Sequence, residues 1–216
     1  MILTKIVKKI FRKLDQLSPY PLFYPFLMSE SEKLLFDSSI KMSRYYLEFG
    51  MGGSTIRVIQ RSNAVIYTVD SSAEWIRYMR KYSIIRFMEN KRLHIFPVHI
   101  GPVKGMGYPT SDLYKESFGN YSSEIFQQIN GNLIDLALVD GRFRVACILK
   151  IIIACHENKK INILIHDFWD RPHYHIVLQY LDILYRADTL GLFSIKRTID
   201  LTAVKKDYEA YKLIPD

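Results

Sequence analysis

The residues able to do chemistry gather at three places along the chain. The first is Glu48-Phe49-Gly50-Met51-Gly52-Gly53-Ser54-Thr55, where a β-rich run gives way to a helical one. Glycines at such a junction let the backbone turn tightly and let a ligand lie on bare main chain, while the following helix offers unpaired N–H groups. A ligand is expected there. Asp70 ends the next β-rich run, twenty residues beyond Gly50. A carboxylate at that point suits ribose hydroxyls, with capping of the next helix, at Ser71 and Ser72, as the competing use. The second place is Asp140-Gly141-Arg142-Phe143-Arg144, which puts two cations at a helix start, where the dipole is positive. They imply a compensating anion, either Asp140 or a group on a substrate. The third is His166-Asp167, followed by Phe168, Trp169, His173 and Tyr174. His166, His173, Asp140 and Asp167 are the candidate proton acceptors, histidine because its unperturbed pKa is nearest neutrality. Arg142, Trp169 and His173 are expected to line an acceptor pocket.

These groups need elements to hold them. From residue 44 the pattern alternates short β-rich runs with helical stretches, which predicts repeated βαβ units and a doubly wound, mostly parallel sheet of the Rossmann-like α/β class. Strands are predicted near 44–49, 64–69, 93–98, 133–139, 161–166 and 192–197, and helices near 54–62, 72–82, 122–130, 142–156 and 173–187. The last dozen residues also read as helical. Residues 99–121 carry too much Gly and Pro for regular structure, and a loop that long is more often functional than idle. In an open parallel sheet the ligand lies beyond the carboxyl ends of the strands, where strand order reverses. Chemistry is to be sought at that rim.

The glycine turn separates two classes of nucleotide site. A dinucleotide fingerprint is GxGxxG, and here its sixth position is Thr55. The run ExGxGGST resembles instead motif I of the class I S-adenosylmethionine-dependent methyltransferases. The runs VDSSAEWIRYMR, VHIGPVKGMGYP, LALVDGRFRVACIL and ILIHDFWDRPHYHIVLQYL extend the likeness to a little-characterised bacterial group of methyltransferase-like proteins, over roughly residues 44–185. The resemblance implies S-adenosylmethionine as cofactor, with Gly50, Gly52, Gly53, Ser54 and Thr55 beneath its methionine and ribose parts and Glu48 holding its amino group, directly or through water. It further implies ribose contacts from Asp70 and Ser71, adenine contacts near His99 and Ile100, and Asp140 facing the transferred methyl. His99 departs from the acid that related sequences carry there. Asp140 and Asp167 match two of the Mg²⁺ ligands of some O-methyltransferases, but Phe168 replaces the third. Zinc on His173 and His175 is disfavoured, since two residues turn a helix by about 200°. The implied reaction is methyl transfer to an oxygen of a small or glycan-type acceptor. An NAD-dependent oxidoreductase and a non-catalytic subunit of a surface-polysaccharide assembly are the alternatives.

Composition agrees with a folded body. At 216 residues, 49% apolar and 24% charged, the chain can bury a core without disulfides. Cys147 and Cys155 lie about 12 Å apart along a helix, too far to bridge, so a reducing cytoplasm is expected. Of the net charge of +8, Lys5, Lys8, Lys9, Arg12 and Lys13 supply five, which argues against a nucleic-acid groove on the body. Residues 1–17 read as a basic amphipathic helix, suited to packing on the body, to a second subunit of a homodimer, or to the inner face of an anionic membrane. With the Pro- and aromatic-rich linker they form an extension, residues 1–28, ahead of a domain at 29–216.

Overall fold

The structure is a computed structural model that describes residues 11, 13–158 and 160–216. The apolar face expected over residues 1–17 falls largely outside the described residues; residues 13–17 are helical. Seven strands build the main sheet: Tyr45–Phe49 (β1), Val65–Asp70 (β2), Leu93–Pro97 (β3), Leu136–Val139 (β6), Asn162–Ile165 (β7), Leu181–Ala187 (β8) and Leu190–Ile195 (β9). Val103–Lys104 (β4) and Tyr108–Pro109 (β5) form a separate small hairpin. The main order is β3-β2-β1-β6-β7-β9-β8, parallel from β3 to β7, with β9 antiparallel to both neighbours. Strand order therefore reverses between β1 and β6.

The central strands are covered on both faces, which is why they read as nearly unbroken apolar runs. Alternate residues enter different cores. Leu47, Phe49, Ala137, Val139, Ile163 and Ile165 pack with the helix Arg144–Cys155 (α6), nine of whose twelve residues are buried. Tyr46, Ile66, Leu136, Leu138 and Leu164 face the layer of Glu30–Ile40 (α1), Gly53–Arg61 (α2), Ala73–Met79 (α3) and Ser83–Met88 (α4). Two further helices, Asn120–Ser123 (α5) and Leu201–Tyr211 (α7), pack beside α6. Residues 19–28 run over the α2 side without helix or strand: Gln60 donates to the Pro21 carbonyl at 2.7 Å, and Phe26 packs on Phe36.

Three predicted helices are corrected. The helix expected over 173–187 is a 3₁₀ stretch, Pro172–Gln179, followed by β8. Val177, Leu181 and Leu184 have helical spacing, but β9 supplies a partner strand, and the two-residue connection Asp188-Thr189 closes the hairpin with Asp188 at φ 46. The helix expected over 72–82 breaks into α3 and α4, and that over 122–130 shortens to α5 and a 3₁₀ turn. Residues 99–121 lack long elements, as expected, and contain the β4–β5 hairpin.

Candidate functional site

The turn after β1 is built from its acid outward. Glu48 is wholly buried, and its carboxyl accepts hydrogen bonds from Tyr46 (3.1 Å), Ser54 (2.8 Å) and Thr55. Burial pushes its pKa up to about 7, against the pull of the Thr55, Ser54, Thr68 and Tyr46 hydroxyls. The expectation that Glu48 holds a ligand's amino group directly is corrected: both oxygens lie beneath the turn, tying β1 to the start of α2. Ser54 and Thr55 are spent on the same task, and Thr55 Oγ1 also accepts from the Gly52 N–H at 3.0 Å.

Each glycine of the turn faces a different neighbour. A Cβ on Gly50, whose φ is +100°, would stand 2.8 Å from the backbone of Gly141, so the turns after β1 and β6 touch main chain to main chain. A Cβ on Gly53 would meet the Pro25 carbonyl oxygen at 2.1 Å. A Cβ on Gly52 would meet nothing closer than Ser54 Oγ at 4.0 Å. Bare backbone is thus presented at Gly52.

Asp70 sits beside this face, 8% exposed. Its carboxyl accepts from the Met51 N–H (3.1 Å) and the Ser72 N–H (2.8 Å), which clamps the turns after β1 and β2 together. Burial raises its pKa to about 6. The capping task considered for it falls to Ser72, whose hydroxyl accepts from Trp75. Ser71 Oγ is buried without a hydrogen-bond partner. The β4–β5 hairpin crosses above: a Cβ on Gly107 would lie 3.5 Å from Arg142 Cγ and 3.6 Å from Ser71 Oγ. Tyr121, buried on Phe49 and Phe143, forms the inner wall, and a Cβ on Gly141 would strike its hydroxyl at 2.2 Å.

Beyond β6 and β7 lies a charged cluster. His166 Nδ1 is 2.9 Å from Asp140 Oδ1 and 3.8 Å from Asp167 Oδ1, while Nε2 is 3.7 Å from Glu32 Oε2. Burial alone would lower the His166 pKa, but the hydrogen bond and charge of Asp140, with the charge of Asp167, raise it. Burial would likewise raise Asp140, yet His166, Arg144 and Arg142 hold it below the ordinary carboxylate value. Both ring nitrogens of His166 face carboxylates, so the expected free base is corrected to a residue that holds Asp140. Asp167 is held by Arg144 (3.2 Å) and Arg171 (3.1 Å).

Asp140, His166 and Asp167 form the one group of three possible metal ligands among the described residues. They do not fit Mg²⁺. Arg144 Nη2, on a side chain only 3% exposed, stands 3.3 Å from Asp140 and 3.2 Å from Asp167, so the chain's own cation fills the point between the carboxylates. His175 bonds the Phe168 carbonyl at 3.0 Å and His173 meets the Tyr174 ring edge to face, so the two do not share a zinc site.

Other expected residues lie apart. Trp169 packs on Phe168 and Phe193 with Arg186 over its ring, a wall of the β8–β9 hairpin, and His173 is exposed. His99 is exposed against Tyr114, whereas Ile100 belongs to the core. Arg142 is buried beneath the Tyr108 ring. Glu32 and Asp216 were not anticipated. Glu32 reads locally as half of the Ser29 capping box, and its second task, accepting from Thr189 N–H at 2.9 Å, depends on a residue 157 positions away.

No family model matches the chain, and no curated protein matches it. Solved structures do. A methyltransferase-like protein of Silicibacter pomeroyi superposes with a TM-score of 0.78 at 23% identity, over 89% of this chain and 98% of that one. A cofactor-bound protein from MTB, Rv0187, gives 0.54 at 13% identity, over 90% and 89%. A protein of Corynebacterium glutamicum gives 0.51 at 8%, over 82% and 84%. Sheet order, the reversal between β1 and β6, and these superpositions give one result: the chain has the class I methyltransferase-like fold.

Proposed function

We propose that the chain binds S-adenosylmethionine across the carboxyl ends of β1 and β2 and transfers its methyl group to an oxygen of a small or glycan-type acceptor beside Asp140. The observation that carries this reading is Gly52. Of the three glycines in the turn it is the one whose missing side chain leaves open space, next to the buried Asp70 carboxyl and an unpartnered Ser71 hydroxyl. A cradle of bare backbone with a carboxylate and a hydroxyl at its edge fits a ribose-bearing cofactor. Gly52, Asp70 and Ser71 would hold it, and when bound it supplies an activated methyl on a sulfonium.

The chain's own task is alignment and removal of one proton. Asp140, kept ionised and fixed by His166, would accept the hydrogen bond of the acceptor hydroxyl and take its proton, the methyl C–S bond breaking to release the neutral thioether as the C–O bond forms. The β4–β5 hairpin and Tyr121 exclude water from the same space. An oxidoreductase reading is weaker, because the start of α2 already sits on the Glu48 carboxyl, a poor neighbour for a pyrophosphate.

Calorimetry with S-adenosylmethionine and its demethylated product tests the reading; micromolar binding is expected. Gly52→Val keeps the fold, since its backbone is extended at φ −171°, and should abolish binding. No heat from either compound would leave a non-catalytic protein of this fold, and equal binding by the variant would remove Gly52 as the cofactor's seat.

A further inference from the structure

The start of α6 cannot satisfy itself from its own sequence. Its N-cap is Phe143, fully buried and left-handed at φ 54, which has no oxygen to offer, and the first turn holds no acid. Arg142 and Arg144 add positive charge where the helix dipole is already positive. Arg144 is matched by Asp140 and Asp167. Arg142 is not: it is 5% exposed, its guanidinium lies 4.2 Å under the Tyr108 ring, and its Nε–H has no acceptor.

One anion does arrive, from far along the chain. The Asp216 carboxylate accepts from the Arg144 N–H at 2.7 Å and, through its other oxygen, from the Val145 N–H at 3.3 Å. Arg142 Nη1 donates to the main-chain oxygen of the same residue at 2.7 Å. Two backbone donors thus grip the two-oxygen side-chain anion, while the buried Arg142 guanidinium holds the main-chain oxygen of the same residue, at a helix start four positions along the chain from Asp140. The grip is incomplete, because Arg142 Nε remains unpartnered, and three or more acceptor oxygens would use what a carboxylate side chain leaves over.

We propose that this seat receives a carboxylate or phosphate group of the acceptor, with the Asp216 side chain standing in for it. Resting on the methyl-transfer reading, this makes the acceptor an anionic small molecule whose reacting oxygen lies near Asp140 while its anion is anchored at α6. Filling the seat displaces residues 212–216 from it.

The test is a titration followed at the backbone amides of Arg144 and Val145 by NMR, with inorganic phosphate in one arm and acetate in the other, at matched ionic strength. In Asp216→Asn, phosphate or acetate should shift both amides saturably and bind about tenfold more tightly than in the wild type, because an intramolecular competitor has been removed. Adding Arg142→Met should cost about tenfold again. In the wild type the same titration should move the Asp216 amide as the tail leaves. The arm that saturates identifies the acceptor's anion. If neither anion moves these amides in folded Asp216→Asn through the tens-of-millimolar range, the seat is only a tether and the proposal falls. Cofactor calorimetry is read separately: anion binding without cofactor binding keeps the seat and removes the acceptor role, and cofactor binding without anion binding removes the seat alone.

Discussion

Glu48 offers a quantitative test of how the glycine turn is held. In the folded chain its pKa is about 7, against an ordinary 4.5, because burial outweighs the hydroxyls that solvate it. Between those two values the unfolded chain gives up its proton while the folded chain keeps it. Stability from this residue is therefore full below about pH 4.5 and falls as pH rises towards 7. At 1.36 kcal/mol per pH unit, the loss is about 3 kcal/mol. Glu48→Gln cannot ionise. At low pH it should be less stable than the wild type by about 1 kcal/mol, since an amide nitrogen replaces one acceptor facing Ser54 and Thr55. By about pH 8 it should be the more stable protein by about 2 kcal/mol. Asp70, also raised, is common to both proteins and cancels. Urea unfolding followed by tryptophan fluorescence, from about pH 5 to about pH 8, measures the difference directly. A wild-type-minus-variant difference constant to within about 0.5 kcal/mol over that range would refute the reasoning.

Three further outcomes are expected. Gly141→Ala should lower stability by about 1–3 kcal/mol, because its Cβ meets the Tyr121 hydroxyl at 2.2 Å and Gly50 N at 3.0 Å, whereas Gly52→Ala should change it by less; equal melting temperatures would count against the packed turn. The His166 ring should titrate above 6.5 by NMR, and Asp140→Asn should bring the midpoint down, with no change ruling out the pairing. Stability from that pair is full below 6.5 and fades as pH rises through the raised value. Arg144→Met leaves Asp140 and Asp167 without the cation between them and should cost about 3 kcal/mol or more, measured by urea unfolding; a cost typical of a surface residue would disprove the bridge.

Much of the frame was legible along the chain. Tyr45–Phe49, Val65–Asp70 and Asn162–Ile165 fall within a residue of the runs that predicted them, because a strand buried on both faces writes its own signature as a short apolar stretch. Glycine spacing likewise marked the turn, since φ +100° at Gly50 and contact with Gly141 admit no side chain. The 173–187 segment was misread because Val177, Leu181 and Leu184 have helical spacing, whereas pairing with β9 makes Leu181–Ala187 an edge strand.

The sequence by itself determined the alternation of elements and the glycine turn that ends the first strand, because period and glycine placement act locally, whereas the strand order that sets the switch point is a tertiary property. Tertiary structure alone decided what each charged group does. Glu48 turned inward because β1 is central and covered; Arg144 became the cation of a carboxylate pair from two separate strand ends; Asp216 reached a helix start more than seventy residues back. Charge energies depend on burial and on distances between residues remote in the chain, and spacing along the chain carries neither.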